Sequence, residues 1–180
     1  MKYPNVQLKI NCVPLGIEEQ NLCEIAEFAC KYPVHVRFIE MMPIGYGSSF
    51  TGMSQEKIVS LLEERFGRLV PYEGEPLGNG PCKYYIVKGF QGKIGFISAI
   101  SHKFCSECNR IRLTSQGYLK TCLQYTAGRD LREVLRNGGT DEELKEIIKE
   151  ALSEKPDGHH FREKAKEDDT ESLCMAQIGG

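Results

Sequence analysis

The chain has 180 residues, 41% hydrophobic and 27% charged, with a formal net charge of -2. That is the composition of a globular protein with one well-filled core or two small ones, and a charge so near neutrality argues against a protein that coats nucleic acid. No apolar run approaches the ~18 residues of a membrane helix, and MKYPNVQLKINCV lacks the charged and apolar blocks of a signal peptide. A cytoplasmic protein whose partners are small molecules or proteins, with no nucleic acid and no membrane among them, is the expectation.

From Val6 to Val13, apolar Val6, Leu8, Ile10 and Cys12 alternate with Gln7, Lys9 and Asn11. This is the period of a strand that sends Lys9 and Asn11 from one face. Leu22, Ile25, Ala26, Ala29 and Cys30 then follow helical spacing up to the stop at Pro33. Val34 to Glu40 predicts a second strand, with Val34, Val36 and Phe38 on one face and His35, Arg37 and Ile39 on the other. Strand, helix and strand make a βαβ unit, so parallel pairing is expected, with function beyond the C-terminal ends of the strands. MMPIGYGSSF reads as a glycine-rich loop without a phosphate-binding pattern.

Ser54 caps a predicted helix that runs to Phe66 and ends at Gly67, with Met53 and Ile58 as a hydrophobic staple. PYEGEPLGNGPCK is turn-rich and is taken as the domain boundary. Beyond it, YYIVKG and KIGFISAI flank Gln91-Gly92, and IRLTS and YLKTCL flank Gln116-Gly117, predicting two hairpins. A helix carrying Leu131, Val134 and Leu135 ends at Gly138-Gly139. Thr140 and Glu143 then form a capping box for a helix that buries Leu144, Ile147, Ile148, Ala151 and Leu152. Lys155 to Ser172 is charge-dense, predicting a mobile or loosely docked tail before the terminal LCMAQIGG. The division expected is 1–70, 71–154 and 155–180.

Of the eight cysteines, Cys105, Cys108 and Cys122 stand out in FCSECNRIRLTSQGYLKTCL, spaced C-x2-C-x13-C. Closing the second hairpin brings them to one end. Soft thiolates suit zinc, copper(I) or an iron-sulfur cluster, and a structural zinc site is closed by four protein ligands. Two readings stay open: an iron-sulfur centre with one position free, or zinc completed from afar by His102, Cys82, Cys174 or the His159-His160 pair. Arg110 and Arg112 alternate along the strand expected directly after Cys108, so their guanidinium groups leave one face, as either a phosphate clamp or a solvated strand edge. Cys12, Cys23, Cys30, Cys82 and Cys174 read as small packed side chains.

FCSECNRIRLTSQGYLKTCL, with VQLKINCV, VHVRFIEMMPIG and the terminal IGG, resembles the C-terminal half of the GTP 3',8-cyclase family, radical SAM enzymes that begin molybdenum cofactor biosynthesis. The resemblance covers essentially the whole chain. It implies an α/β fold: the C-terminal part of an incomplete (β/α) radical SAM barrel, followed by an α+β region of hairpins and helices. It implies that Cys105, Cys108 and Cys122 hold a 4Fe-4S cluster whose free iron binds the guanine of GTP. It assigns Lys9, Arg110, Arg112 and the Ile111 backbone to GTP, Met42 to S-adenosylmethionine, and Gly179 and Gly180 to a catalytic tail. Arg37, the other charged member of its strand's polar face, is a further candidate for lining the cavity.

One departure matters. The family's N-terminal half carries C-x3-C-x2-C, whose cluster cleaves S-adenosylmethionine, and no such triplet occurs here. The resemblance therefore implies a half enzyme, without turnover alone, that needs the missing barrel half or self-association. Two other classes remain beside it: a cluster-containing binding or regulatory module, and a zinc-stabilised interaction domain.

Overall fold

The computed structural model describes residues 6–161 together with Glu171, Leu173, Met175, Gln177 and Ile178. The chain divides into two compact units, residues 1–42 with 50–103, and residues 43–49 with 104–180.

The first unit is built on a five-stranded mixed sheet. Strand β1 (Leu8–Cys12) leads through helix α1 (Leu22–Lys31) to β2 (Val34–Ile39), and the two strands pair in parallel. The expected βαβ unit is present. Asn21 caps α1, its side chain accepting the Glu24 amide. Ser54 caps α2 (Gln55–Phe66), which stops at Gly67 with φ 86°, a conformation that favours glycine. Strands β3 (Leu69–Pro71), β4 (Lys83–Val87) and β5 (Ile94–Ile97) complete the sheet in the order β1-β2-β5-β4-β3. β5 is parallel to β2, whereas β4 is antiparallel to both β5 and β3. β1, β2, β5 and β3 thus share one direction, and β4 alone runs against them.

One sheet face is apolar. Cys12, Val36, Phe38, Ile94 and Phe96 pack with Leu22, Ala26 and Ala29 of α1 and Ile58 and Leu62 of α2. Met53 also packs against this cluster, of which Ile58 is a member. The period of two then turns His35, Arg37, Lys9, Asn11 and Tyr84 to the opposite face.

The segment 71–82 is not the boundary expected from its turn residues. Pro71 ends β3, and residues 72–82 join it to β4, with which it pairs, so they are a loop inside the first unit, and the division falls after Lys103. MMPIGYGSSF also differs from a plain loop, since Gly45–Ser49 forms a 3-10 turn.

The second unit contains a three-stranded antiparallel sheet of β6 (Arg112–Leu113), β7 (Tyr118–Lys120) and β8 (Gly128–Asp130), with α3 (Leu131–Arg136) and α4 (Asp141–Ser153). Both predicted hairpins form. Leu119, Leu131 and Ala151 make its buried cluster, with Leu144, Ile147 and Ile148 packed against it. The Thr140–Glu143 capping box closes in both directions. Leu135 and Leu152, expected inside, are 55% and 43% exposed. Short α3 and the three-stranded sheet offer too little surface to cover a full helical stripe.

Candidate functional site

Arg112 pairs with Lys120, and the turn at Gln116-Gly117 closes the other end of the β6–β7 ladder. Cys108 precedes Arg112 and Cys122 follows Lys120, so both cysteines lie at the open end. Cys105 joins them through a single 3-10 turn, Cys105–Glu107, closed by the Cys108 amide donating to the Cys105 carbonyl at 3.1 Å. All three are free, half-buried thiols. Among the described residues, no three His, Cys, Asp or Glu side chains are spaced to hold one metal ion. The shared hairpin end is therefore present, while the tight convergence of a single-ion site is not.

Arg112 is half-buried and Arg110 exposed. The strand begins only at Arg112, so the two arginines do not alternate along one strand as expected; Arg110 lies in the loop that leads in. Burial, and then the charge of Arg110, draw the Arg112 guanidinium below its ordinary range, while thiolates at Cys108 and Cys122 act the other way. Ile111 between the arginines is 47% exposed.

The C-terminal segment, expected to be loosely docked, packs on this loop through its described residues. Lys155 Nζ donates to the carbonyls of Cys108 at 2.6 Å and Arg110 at 3.1 Å. The Gly158 backbone passes Cys105, and a Cβ built there would lie 3.9 Å from that of Cys105. His160 donates its amide to Gln124 Oε1 at 2.5 Å, and its Nδ1 lies 2.7 Å from Tyr125 Oη. Glu171 forms a buried ion pair with Lys120. Charge density did not imply solvation here, because the partners of Lys155 and Glu171, the half-buried Cys108 carbonyl and buried Lys120, lie far away in sequence. None of this was visible in local pattern. Gly179, Gly180 and Cys174 lie outside the described residues.

In the first unit, the sheet's polar face gathers a second group. Register sets Lys9 opposite His35 and Asn11 opposite Arg37, and Arg37 Nε donates to Asn11 Oδ1 at 2.8 Å. Lys9 Nζ donates to the Leu77 carbonyl, beside a cavity of about 380 Å³ lined in part by Leu77, Gly78, Cys82 and Tyr84. Burial, followed by the charges of Lys93, Lys9 and Arg37, lowers the pKa of His35. Met42 sits half-buried three residues beyond β2.

Sequence reasoning missed Tyr84 and Cys82 on this face. Gly95 pairs with both Arg37 and Tyr84, and its missing side chain leaves room for Cys82 and Tyr84: a Cβ there would stand 2.5 Å from Cys82 Sγ and 3.0 Å from the Tyr84 ring. Burial and then the Cys82 thiol push the Tyr84 phenol up to about 12. Cys82 and Arg37 lie near that phenol, but among the described residues no group stands in hydrogen-bonding geometry to its buried oxygen. The alternation of KYYIV separates Tyr84 from Tyr85, but only the hairpin register reveals its neighbours. Glu40, also missed, accepts the amides of Ile100 at 2.7 Å and Ser101 at 2.9 Å, tying the end of β2 to the loop before Lys103.

Residues 34–161 match the profile of the Molybdenum Cofactor Synthesis C family. The chain belongs to that family. Its relatives include proteins named GTP 3',8-cyclase. That of Clostridium perfringens strain 13 is 45% identical over 178 residues, covering 98% of this chain and 54% of the relative. That of Syntrophomonas wolfei is 40% identical over 177 residues, covering 96% of this chain and 53% of the relative. Molybdenum cofactor biosynthesis protein 1 of Dictyostelium discoideum is 36% identical over 165 residues, covering 88% and 26% respectively. This Molybdenum Cofactor Synthesis C chain spans about half the length of the GTP 3',8-cyclases it matches and corresponds to their C-terminal half. The matched stretch contains Arg37, Met42, the three cysteines and both arginines; Lys9 precedes it. Among the described residues, no helix is long and apolar enough to cross a membrane.

Proposed function

We propose that this chain is the GTP-binding, cluster-bearing half of a GTP 3',8-cyclase, acting in the cytoplasm in molybdenum cofactor biosynthesis. The observation that carries the reading is the open end of the β6–β7 hairpin, where the Arg112–Lys120 pair is flanked by half-buried Cys108 and Cys122, with Cys105 one 3-10 turn away. The donor set fits a 4Fe-4S cluster: Cys105, Cys108 and Cys122 would hold three of its irons, and a cube, unlike one zinc ion, does not require thiolates in mutual contact. When bound, the cluster supplies an iron without a protein ligand, able to take a donor atom of guanine.

The protein's own part is to bind and orient. Arg110 and Arg112 offer charged donor forks to the triphosphate, and Ile111 contributes its backbone between them. Lys9 supplies a further ammonium once it leaves the Leu77 carbonyl, Arg37 adds a charge on the same sheet face, and Met42 contacts S-adenosylmethionine. Gly179 and Gly180 form the tail that supports catalysis. The parallel strands β1, β2 and β5 belong to a partial barrel, followed by the cluster-binding region and the tail. Conversion of GTP to 3',8-cyclo-7,8-dihydro-GTP then requires the N-terminal barrel half with its own C-x3-C-x2-C cluster, and the chain alone binds GTP without turnover.

Anaerobic reconstitution with iron and sulfide tests this directly. The expected product is brown, carries close to four irons per chain and binds GTP by calorimetry. Arg110→Ala and Arg112→Ala should each weaken binding by about 1.5–3 kcal/mol, the range for hydrogen bonds to charged groups, with iron content unchanged. A protein that takes up stoichiometric zinc but no iron-sulfur cluster overturns the reading. Unaltered GTP affinity in both loaded variants removes the arginines from it.

A further inference from the structure

We infer that Lys155 is a positioning residue for the thiol centre: it ties the Cys108–Arg110 loop to the end of α4 and sets a positive charge against the backbone of a ligand residue. This rests on the cluster reading above and adds to it a residue outside the cysteine motif.

The geometry begins with α4. Ile147, Ile148 and Ala151 pack its length against the cluster around Leu119 and Leu131. Arg129 of β8 grips Glu154, the residue before Lys155, through both carboxylate oxygens at 2.6 and 2.5 Å. The helix end is thereby held from two sides, and Lys155 leaves it in a fixed direction, its own amide bonded to the Leu152 carbonyl at 3.2 Å. Its half-buried side chain reaches the carbonyls of Cys108 and Arg110, 47 and 45 residues away in sequence.

Those carbonyls lie in a loop, because β6 begins only at Arg112 and no ladder serves them. A half-buried carbonyl without a partner is costly, which applies to Cys108, and an ammonium has donors enough to hold the exposed Arg110 carbonyl as well. Among the described residues, no carboxylate forms an ion pair with Lys155. Its charge therefore remains directed at the loop. A cation beside a redox centre favours the more negative, reduced form, and net charge and nearby hydrogen bonding are levers on cluster potential.

The consequence is read on the reconstituted full chain by redox titration followed by electron paramagnetic resonance. Lys155→Met and Lys155→Gln should load iron yet become harder to reduce. The expected fall is at least a tenfold loss in the reduced-to-oxidised ratio at a fixed solution potential, about 59 mV for a one-electron couple. Lys155→Arg should recover most of it. Lys145→Met, which removes an exposed charge paired with Glu142 on α4, should leave the potential where it was. Should Lys155→Met fail to fold, Lys155→Gln carries the test, since it keeps a polar donor at the helix end and removes the charge. An unchanged potential in loaded Lys155→Gln, or a fall equalled by Lys145→Met, overturns the inference while leaving the cluster reading intact. Wild-type protein that never assembles a cluster overturns both.

Discussion

Lys120 and Glu171 form an ion pair with side chains only 3% and 4% exposed, and replacing one partner gives a prediction whose size follows from that burial. Lys120→Met removes the ammonium and its second bond, to the Tyr125 carbonyl at 2.8 Å. The Glu171 carboxylate would keep the Leu173 amide, which donates to Oε1 at 2.8 Å, and lose its counter-ion. Stranding one member of a buried pair costs about 3–5 kcal/mol, which is roughly two to three and a half powers of ten in an equilibrium constant. Native-state hydrogen exchange of the β7 amides should read this as accelerated opening of the second unit. The double variant Lys120→Met with Glu171→Leu removes both charges and should return close to wild type, since well-packed apolar replacements of buried pairs are often neutral or stabilising. An acceleration below tenfold in Lys120→Met refutes the reasoning. So does a double variant as unstable as the single, because uncompensated charge would then not be the cause.

Two further outcomes test the first unit. Gly95→Ala should destabilise it by about 1–3 kcal/mol, the usual cost of overpacking, since its methyl group would stand 2.5 Å from Cys82 Sγ and 3.0 Å from the Tyr84 ring; in urea unfolding, adding Cys82→Ala should recover part of the loss, and a neutral Gly95→Ala would contradict the packing. His35, whose folded pKa lies below the ordinary 6.5, takes up a proton more readily in the unfolded chain. Stability should therefore be level above about pH 6.5 and decline as the pH falls from there through the lowered folded value. Unfolding curves between pH 5 and 8 should show that decline shrinking in His35→Gln; an identical slope in the variant would assign it to other groups.

Much of the architecture is local, and that part was legible. The caps at Ser54 and Thr140 act on amides three residues away, within reach of sequence pattern. The alternation in β1 and β2 already separated Lys9 and Arg37 from the apolar face, because a strand's two faces follow from pleat alone. Cysteine spacing and a hairpin turn were likewise enough to anticipate that Cys108 and Cys122 share one end. What sequence could not supply was the extent of each contact surface. Leu135 and Leu152 continue helical stripes, yet the partners that would cover them stop short.

Tertiary structure decided the rest, because the interactions concerned join residues with no periodic relation. The segment 71–82 reads as a linker by composition, but pairing of Leu69 with Val87 makes it internal to a sheet. Gly95 looks like a weak strand residue until the register shows Arg37 on one side and Tyr84 on the other. Lys155 and Glu171 belong to a charge-dense stretch whose composition suggests solvation; their partners, Cys108 and Lys120, lie 47 and 51 residues away. Residue type determined what chemistry the chain carries: three thiols, two arginines and a polar strand face. Only the packing of α4 and of Glu171 against the second sheet decided what holds the thiol loop in place, since a charged side chain stays in water unless distant residues offer it a buried partner.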